Sequence, residues 1–428
     1  MIQKENKKGL TVRYTIHKIL YAIKYQNKSF EKIFEEEKLE NKFEASDYKL
    51  IYDVSLTSMR KFLYINKIIE MYSKRKPKKH QYILLLSSIT QLVYLNYKNY
   101  AVINCTVEIA KKKNINGIPG YINGILKTID KNKINLRKIK IDEKIIKKHI
   151  KKNIIKNLSK ENTLNIFNSV AEKPQIHLVF KNKINIKNES INITKSTNLS
   201  GIINDNQPLN EISEFKKGNC WVQDLSSMLP IYLTNDLNNL RALDMCAAPG
   251  GKTFQLIQGG AKVFSVEKNK DRSEKLELNL NRLKLKSTIL NIDALDLNED
   301  EQFDIIVIDA PCSSIGTVRR NPDILFKNNG INLEKKTILQ KKLLKKADKM
   351  LVKNGLLIYI VCSFIGLETN LQINNFLNKN NNYSVVKFES EDQFINLIDS
   401  SGFINIKPQK LNNILIDGFF AAKLRKNV

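Results

Sequence analysis

Apolar residues recur along the first third of the chain at helical spacing. Ile16, Ile19, Leu20 and Ile23 fall at i, i+3, i+4 and i+7, which lines one face of a helix. Asp47 is placed to cap a long second helix carrying Leu50, Val54, Phe62, Ile65 and Ile69. Tyr82–Leu95 predicts a strongly apolar central helix. Ala101–Lys112 and Pro119–Asp130 predict two more, with Pro119 suited to a first helical turn. These stripes read as core. Residues 131–170 form a Lys/Ile/Asn-rich tract, in which the periodicity of Ile141–Ile155 predicts a linker helix. Beyond it the pattern changes to short alternating runs at 176–180, 184–186 and 191–193, separated by polar turns, as in a small α+β insert.

From residue 237 the pattern alternates between apolar runs of strand length and helical stripes. Strands are predicted at 240–244, 262–267, 288–291, 303–309 and 355–361, with a closing strand at 419–424. Helices are predicted at 252–258, 270–284, 334–352 and 368–378, and Leu339, Leu343, Ala347 and Leu351 give the third its sheet-facing stripe. Such alternation predicts a parallel, doubly wound sheet. The fold class is therefore multidomain: an all-α N-terminal domain (1–135), a linker helix with a small α+β insert (136–218), and a C-terminal α/β Rossmann-like domain (219–428).

Charge adds a partner. The 71 basic residues against 43 acidic ones give a net charge of +28, which suits a polyanion, because each neutralised phosphate releases counterions. Lys, Asn and Ile are abundant throughout, so part of this excess is solvated surface. The run Ser73-Lys-Arg-Lys-Pro-Lys-Lys-His80 is either a solvated loop or a phosphate contact. The five cysteines (Cys105, Cys220, Cys246, Cys312, Cys362) lack metal-ligand spacing and are odd in number. They predict no disulfide framework, no metal and a reducing, cytoplasmic setting. The N-terminus is polar, and no apolar run approaches the ~20 residues that span a bilayer. No membrane association is expected, and the chain is expected to act as a monomer.

The first chemistry lies in Arg241-Ala-Leu-Asp-Met-Cys-Ala-Ala-Pro-Gly-Gly-Lys-Thr253. An apolar strand runs into Pro249, Gly250 and Gly251, and a helix follows. Ala247, Ala248 and the two glycines let a ligand approach the backbone, and the helix points its free N–H groups at that ligand. Two ligands compete. A P-loop would explain every position of 246–253 except Cys246, which stands where glycine belongs, and Asp309 would serve as the Mg²⁺ aspartate of an NTPase. Pro249, however, removes an N–H that a phosphate cradle uses. S-adenosylmethionine carries no phosphate and needs an acid for its ribose hydroxyls at the end of the second strand. Glu267 ends that strand. The methyl donor is the better fit.

The second chemistry lies in two cysteines at the carboxyl ends of strands, in Asp309-Ala-Pro-Cys-Ser-Ser314 and Tyr359-Ile-Val-Cys-Ser363. Each is followed by serine. The last domain contains no histidine, because His17, His80, His149 and His177 all lie upstream. Catalysis there by His is excluded, as is the H-x-E zinc site of base deaminases. A thiolate answers a specific problem. Attack on cytosine carbon 6 makes carbon 5 an enamine-like nucleophile able to take a methyl group. Asp309 is placed to hydrogen-bond the N3/N4 edge of such a base. Spacing alone does not say which cysteine attacks.

Together, Asp244-x-Cys-Ala-Ala-Pro-Gly-Gly-Lys252, Asp309-Ala-Pro-Cys-Ser313 and Val361-Cys-Ser363 resemble the RNA cytosine-5 methyltransferase family over the last ~210 residues. Gln223-Asp224 and Arg319-Arg-Asn-Pro-Asp323 look like further family positions. Ala101-Val-x-x-x-Val107 and Gly120-Tyr-Ile-Asn-Gly-Ile-Leu126 resemble the NusB-like helical domain fused to the RsmB/Sun (Fmu) branch, which acts on bacterial small-subunit (16S) ribosomal RNA. The resemblance implies an RNA-binding helical domain and a ribosomal RNA partner. It implies S-adenosylmethionine held by Cys246, Ala247, Ala248, Pro249, Gly250, Gly251, Lys252, Glu267, Asp293 and Asp309. It assigns attack to Cys362 and release of the methylated RNA to Cys312. Val361 replaces the family's usual threonine, Thr369 its asparagine, and Asn291-Ile-Asp293 its commoner Gly-Asp. None of these removes a catalytic atom. Methylation of another RNA, a P-loop NTPase and an inert RNA-binding assembly factor are the alternatives. Intact Cys312, Cys362, Asp309 and Glu267 argue against inertness.

Overall fold

The computed structural model describes residues 2–427 except 157, 185–190, 205–207, 329–330 and 391–392. The chain divides into two compact units. One is Met1–Lys173 with Val318–Gly330, and the other is Pro174–Thr317 with Ile331–Val428.

The first unit is helical: α1 (Ile2–Gln26), α2 (Phe30–Glu40), α3 (Ala45–Arg60), α4 (Phe62–Tyr72), α5 (Lys79–Ile89), α6 (Asn99–Ala110), α7 (Pro119–Leu136), α8 (Glu143–His149), α9 (Lys152–Ile155) and α10 (Lys160–Val170). Ile16, Ile19, Leu20 and Ile23 are fully buried, as their spacing predicts. The long second helix is instead two. Its apolar stripe continues through Val54, Phe62, Ile65 and Ile69, all buried, but the backbone kinks at Lys61 (φ −93°, ψ 9°). Hydrogen bonds from Lys61 N to Thr57 O and from Ile65 N to Lys61 O, both 2.9 Å, run through the kink. Beyond it α4 buries Phe62, Leu63, Ile65, Asn66, Ile68 and Ile69. Asp47 is not the cap but a first-turn residue that accepts a hydrogen bond from Glu44 N. The expected linker helix is also broken, because Ile150 (φ −107°, ψ 135°) is extended between α8 and α9.

Val318–Gly330 belongs to this unit although it lies in sequence between two stretches of the second unit. Its short helix, Asp323–Phe326 (α15), buries Phe326 completely against Phe62, with ring centroids 6.0 Å apart, and Arg60 Nε donates to Arg319 O at 2.7 Å.

The second unit opens with a four-stranded antiparallel sheet, in the order β2-β3-β1-β4, from β1 (His177–Phe180), β2 (Ile193–Lys195), β3 (Ser200–Ile203) and β4 (Cys220–Val222). Of the run predicted at 184–186, residues 185 and 186 lie outside the described residues. After α11 (Ser213–Lys216) and α12 (Leu225–Tyr232) comes the large sheet: β5 (Arg241–Met245), α13 (Gly251–Gln258), β6 (Lys262–Val266), α14 (Lys270–Leu283), β7 (Thr288–Leu290), β8 (Phe303–Asp309), α16 (Leu333–Met350), β9 (Leu351–Val361) and α17 (Asn370–Leu377). It closes with β10 (Tyr383–Val385), β11 (Ile404–Ile406), the hairpin β12 (Gln409–Leu411) and β13 (Ile414–Ile416), and β14 (Phe419–Lys426).

The sheet order is β10-β14-β9-β8-β5-β6-β7, with β11 also paired to β14. Strands β5 to β9 are parallel. The expected closing strand β14 runs antiparallel to β9, so the sheet is mixed rather than wholly parallel. Residues Phe419–Leu424 are all buried, and a buried run of this kind, apolar but for Lys423, carries no signal of strand direction. Alternate residues of β8 feed opposite faces. Ile306 and Ile308 pack with Leu343, Leu344 and Ala347 of α16, whereas Ile305 and Val307 pack with Leu229 and Leu256. Chain order reverses between β5 and β8, and that switch point is where open α/β sheets bind ligands.

Candidate active site

The strand that ends at the switch point leads straight into the glycine loop. Cys246 takes the left-handed conformation (φ 65°), and Gly250 lies at φ 115°, where a side chain would collide with the Phe254 ring. The loop is held from behind. Ala247 N donates to Val266 O at 2.9 Å, Arg272 bonds the Ala248 carbonyl, and Asn279 Nδ2 reaches Pro249 O at 3.3 Å. Asp244 is wholly buried beneath it and accepts a 2.6 Å bond from Thr253 Oγ1. Burial lifts its pKa to about 7 despite that bond. Burial likewise pushes the Cys246 thiol up to about 12, aided by the charges of Asp309 and Glu267, so this cysteine is a neutral lining group and not a nucleophile.

Lys252 decides what the loop can hold. Its side chain is only 6% exposed, and Nζ sits 2.7 Å from Asp309 Oδ2, 3.1 Å from Ser227 Oγ and over the Phe419 ring. In a P-loop this lysine would face phosphates and the aspartate would face Mg²⁺. Here the two neutralise each other. The other polar groups at the strand ends are acids. Glu267 (3% exposed) accepts a 3.0 Å bond from Asn269 N and pairs with Arg272 at 3.1 Å. Asp293 caps a short turn through Leu295 N at 3.0 Å and lies 3.4 Å from Lys268. The three carboxylates over this loop without side-chain bulk are each paired with a cation, and Lys252, the lysine that a P-loop would turn to phosphate, is occupied by Asp309. Among the described residues no cluster of His, Cys, Asp or Glu is placed to hold a metal, and no helix is long and apolar enough to cross a membrane.

The two cysteines come from neighbouring strands. β8 and β9 run in parallel register, with Asp309 opposite Ile360, and Ala310 N donates to Ile360 O at 2.9 Å. The Cys312 loop therefore rises beside Cys362, and Gly316 N closes it by donating to Cys362 O at 3.0 Å. Gly316 in turn abuts the Gly418 carbonyl so closely that any side chain there would clash. The two sulfurs stand 3.2 Å apart. This contact polarises the pair. Hydrogen bonding to Cys312 lowers the pKa of Cys362, with help from Ser314 and Lys252, while the same contact and burial raise that of Cys312 well above the usual thiol value. Of the two thiols, Cys362 is the one whose ionisation this contact favours, against the opposing effects of burial and the Asp309 charge. Cys312 is buried, whereas Cys362 keeps partial exposure.

Residues 231–425 match the model of "16S rRNA methyltransferase RsmB/F", and residues 10–131 match that of the NusB family. The chain pairs an RsmB/F-family methyltransferase domain with a NusB-family domain. It is 26% identical to ribosomal RNA small subunit methyltransferase B of Yersinia enterocolitica over 360 residues, covering 80% of this chain and 81% of the relative. Against the enzyme of the same name from Photorhabdus laumondii it is 26% identical over 414 residues, covering 91% and 93%. Among solved structures, that of PH0851 superposes with a TM-score of 0.70 at 21% identity, covering 96% of this chain and 98% of that one. The structure of NSun6 from Pyrococcus horikoshii with SFG gives 0.55 at 19%, covering 66% and 98%. Both structures share the fold of this chain over the covered residues.

Within the RsmB/F domain the site holds residues that the motifs did not single out for a role. Glu368 lies completely buried at the centre of a hydrogen-bond cluster. Its Oε1 accepts from Ser313 N (2.8 Å) and Gln340 Nε2 (3.2 Å), and its Oε2 accepts from Ser313 Oγ (2.5 Å) and Ser363 Oγ (2.7 Å). The only trace in the sequence was the serine after each cysteine. Ser227 and Phe419, which hold Lys252, come from distant segments and left no local signal.

Proposed function

We propose that this protein transfers a methyl group from S-adenosylmethionine to carbon 5 of a cytosine in small-subunit ribosomal RNA, through a covalent adduct with Cys362. The observation that carries this reading is the cysteine pair, 3.2 Å apart, beside the glycine loop at the switch point of the sheet. The named relatives and the RsmB/F and NusB matches support ribosomal RNA as the substrate class, and a charge of +28 suits it. In this reading residues 1–135 bind RNA, residues 136–218 connect, and residues 219–428 perform the transfer.

Bound S-adenosylmethionine supplies an electrophilic methyl group. The Cys362 thiolate adds to ring carbon 6 and forms a carbon–sulfur bond, which makes carbon 5 a nucleophile. Asp309, at the end of β8 and paired with Lys252, accepts a hydrogen bond from the N4 amine and orients the base for attack. Glu267 binds the ribose hydroxyls of the donor, and the bare backbone of 246–251 accommodates its body. After transfer, the demethylated donor departs, a water molecule takes the carbon-5 proton, that electron pair restores the C5–C6 double bond, and the carbon–sulfur bond breaks with Cys362 leaving as thiolate. Cys312, still a thiol, is the group 3.2 Å away that assists this departure.

Incubating the protein with small-subunit ribosomal RNA and methyl donor, then sequencing after bisulfite conversion, tests the reading. A cytosine protected only when both are present is expected. Methyl label in RNA that still converts fully would place the methyl group on another atom.

A further inference from the structure

Glu368 sits at the centre of the cysteine cluster. A fully buried carboxylate is costly unless its lone pairs are satisfied, and here four bonds from neutral donors satisfy them. Two donor residues are the serines directly after Cys312 and Cys362. A third, Gln340 of α16, also donates to Pro311 O at 3.2 Å, one residue before Cys312. The backbone of Glu368 is fixed too, because Tyr359 OH of β9 donates to its carbonyl at 2.8 Å. One carboxylate thus ties together both cysteine loops, a core helix and the strand that carries the nucleophile.

We propose that Glu368 is a positioning residue, holding the Cys312 and Cys362 loops at the separation that lets one thiol hydrogen-bond the other and later assist its release. The proposal rests on the functional reading above for its RNA arm only. Glutamine could not replace it, because its amide would offer one acceptor oxygen and turn an N–H₂ toward donors. Aspartate would be one methylene short of the serines.

Two measurements on the full-length chain test this. The first needs neither RNA nor donor. The rate of iodoacetamide alkylation at Cys362 is followed across pH by peptide mass spectrometry for wild type, Cys312→Ala and Glu368→Gln. Loss of positioning raises the alkylation midpoint of Glu368→Gln by about one pH unit, toward that of Cys312→Ala. Loss of negative charge alone would lower it, so an unchanged or lowered midpoint overturns the proposal. The second follows covalent protein–RNA complex during turnover. A misplaced Cys312 slows release more than attack, so the trapped fraction rises roughly tenfold in Glu368→Gln. An unchanged fraction in a variant that still methylates also overturns it. Ser313→Ala and Ser363→Ala keep the carboxylate and each remove one tie. They carry the same two readouts, with smaller shifts of the same sign, should Glu368→Gln fail to fold. A wild-type chain that methylates no ribosomal RNA overturns the functional reading and leaves the alkylation arm to decide on Glu368.

Discussion

The sulfur of Cys312 lies 3.2 Å from that of Cys362, and the contact makes the two thiols unequal: Cys362 is lowered toward its thiolate, and Cys312 is held as a thiol. Attack requires a thiolate, whereas release requires a proton or a donor. Cys362→Ala is therefore expected to abolish methylation and form no adduct. Cys312→Ala is expected to attack, and then to stall as a protein–RNA complex that survives denaturing gel electrophoresis. Shifted bands in the opposite pattern would exchange the two roles.

Glu267 ends β6 inside the crevice, held by Asn269 N and Arg272. Replacing it with alanine removes the proposed ribose acceptor and leaves Arg272 without this carboxylate. Donor affinity should fall by about 1–3 kcal/mol, the usual effect of stranding charge-assisted partners. Calorimetric titration of the folded variant with S-adenosylmethionine measures it, and an unchanged affinity would remove Glu267 from the site.

The basic run before α5 is exposed at Lys74, Arg75 and Lys76, and Arg75 stacks over the Tyr121 ring at 4.5 Å. Converting all three to alanine should weaken binding of ribosomal RNA and flatten its dependence on salt, by about one unit of slope for each phosphate left without its cation. Donor binding should not change. Point substitution is preferable to deleting residues 1–130, because Phe326, fully buried in the helical unit, would lose its cover. An unaltered salt slope would identify this run as solvated loop.

His17 is buried in the helical unit, with Nε2 3.0 Å from His80 Nδ1, and burial lowers its pKa from 6.5 to about 3. The unfolded chain therefore binds a proton that the folded one refuses between those values. The stability contributed by neutral His17 is complete above pH 6.5 and is lost as pH falls toward 3, by at most on the order of 5 kcal/mol. His17→Gln keeps a donor for His80 without titrating. Denaturant unfolding at pH 7 and pH 4.5 should show a smaller drop for the variant than for wild type. Equal drops would mean that His17 is protonated without cost.

Local signals carried much of this protein. Period 3.6 placed α1, α6 and α7, and turn chemistry with short apolar runs placed β5 to β9 within a residue or two, apart from an earlier start to β9. The glycine loop and both cysteines stood at strand ends in the sequence itself, because strand, turn and helix are encoded by neighbours. What the sequence could not supply is whatever depends on residues far apart. The direction of β14 and the return of Val318–Gly330 to the helical unit are set by contacts with residues far away in the chain, Val361 to Leu356 for β14 and Phe62 and Arg60 for the returning segment, and no neighbouring residue encodes them. The charge on Lys252 could be read as a phosphate contact until Asp309, 57 residues away, was found against it. Spacing likewise left the two cysteines equivalent. The parallel register of β8 and β9 and the ties through Glu368 bring their sulfurs together, and a pKa difference between two thiols is a property of that distance.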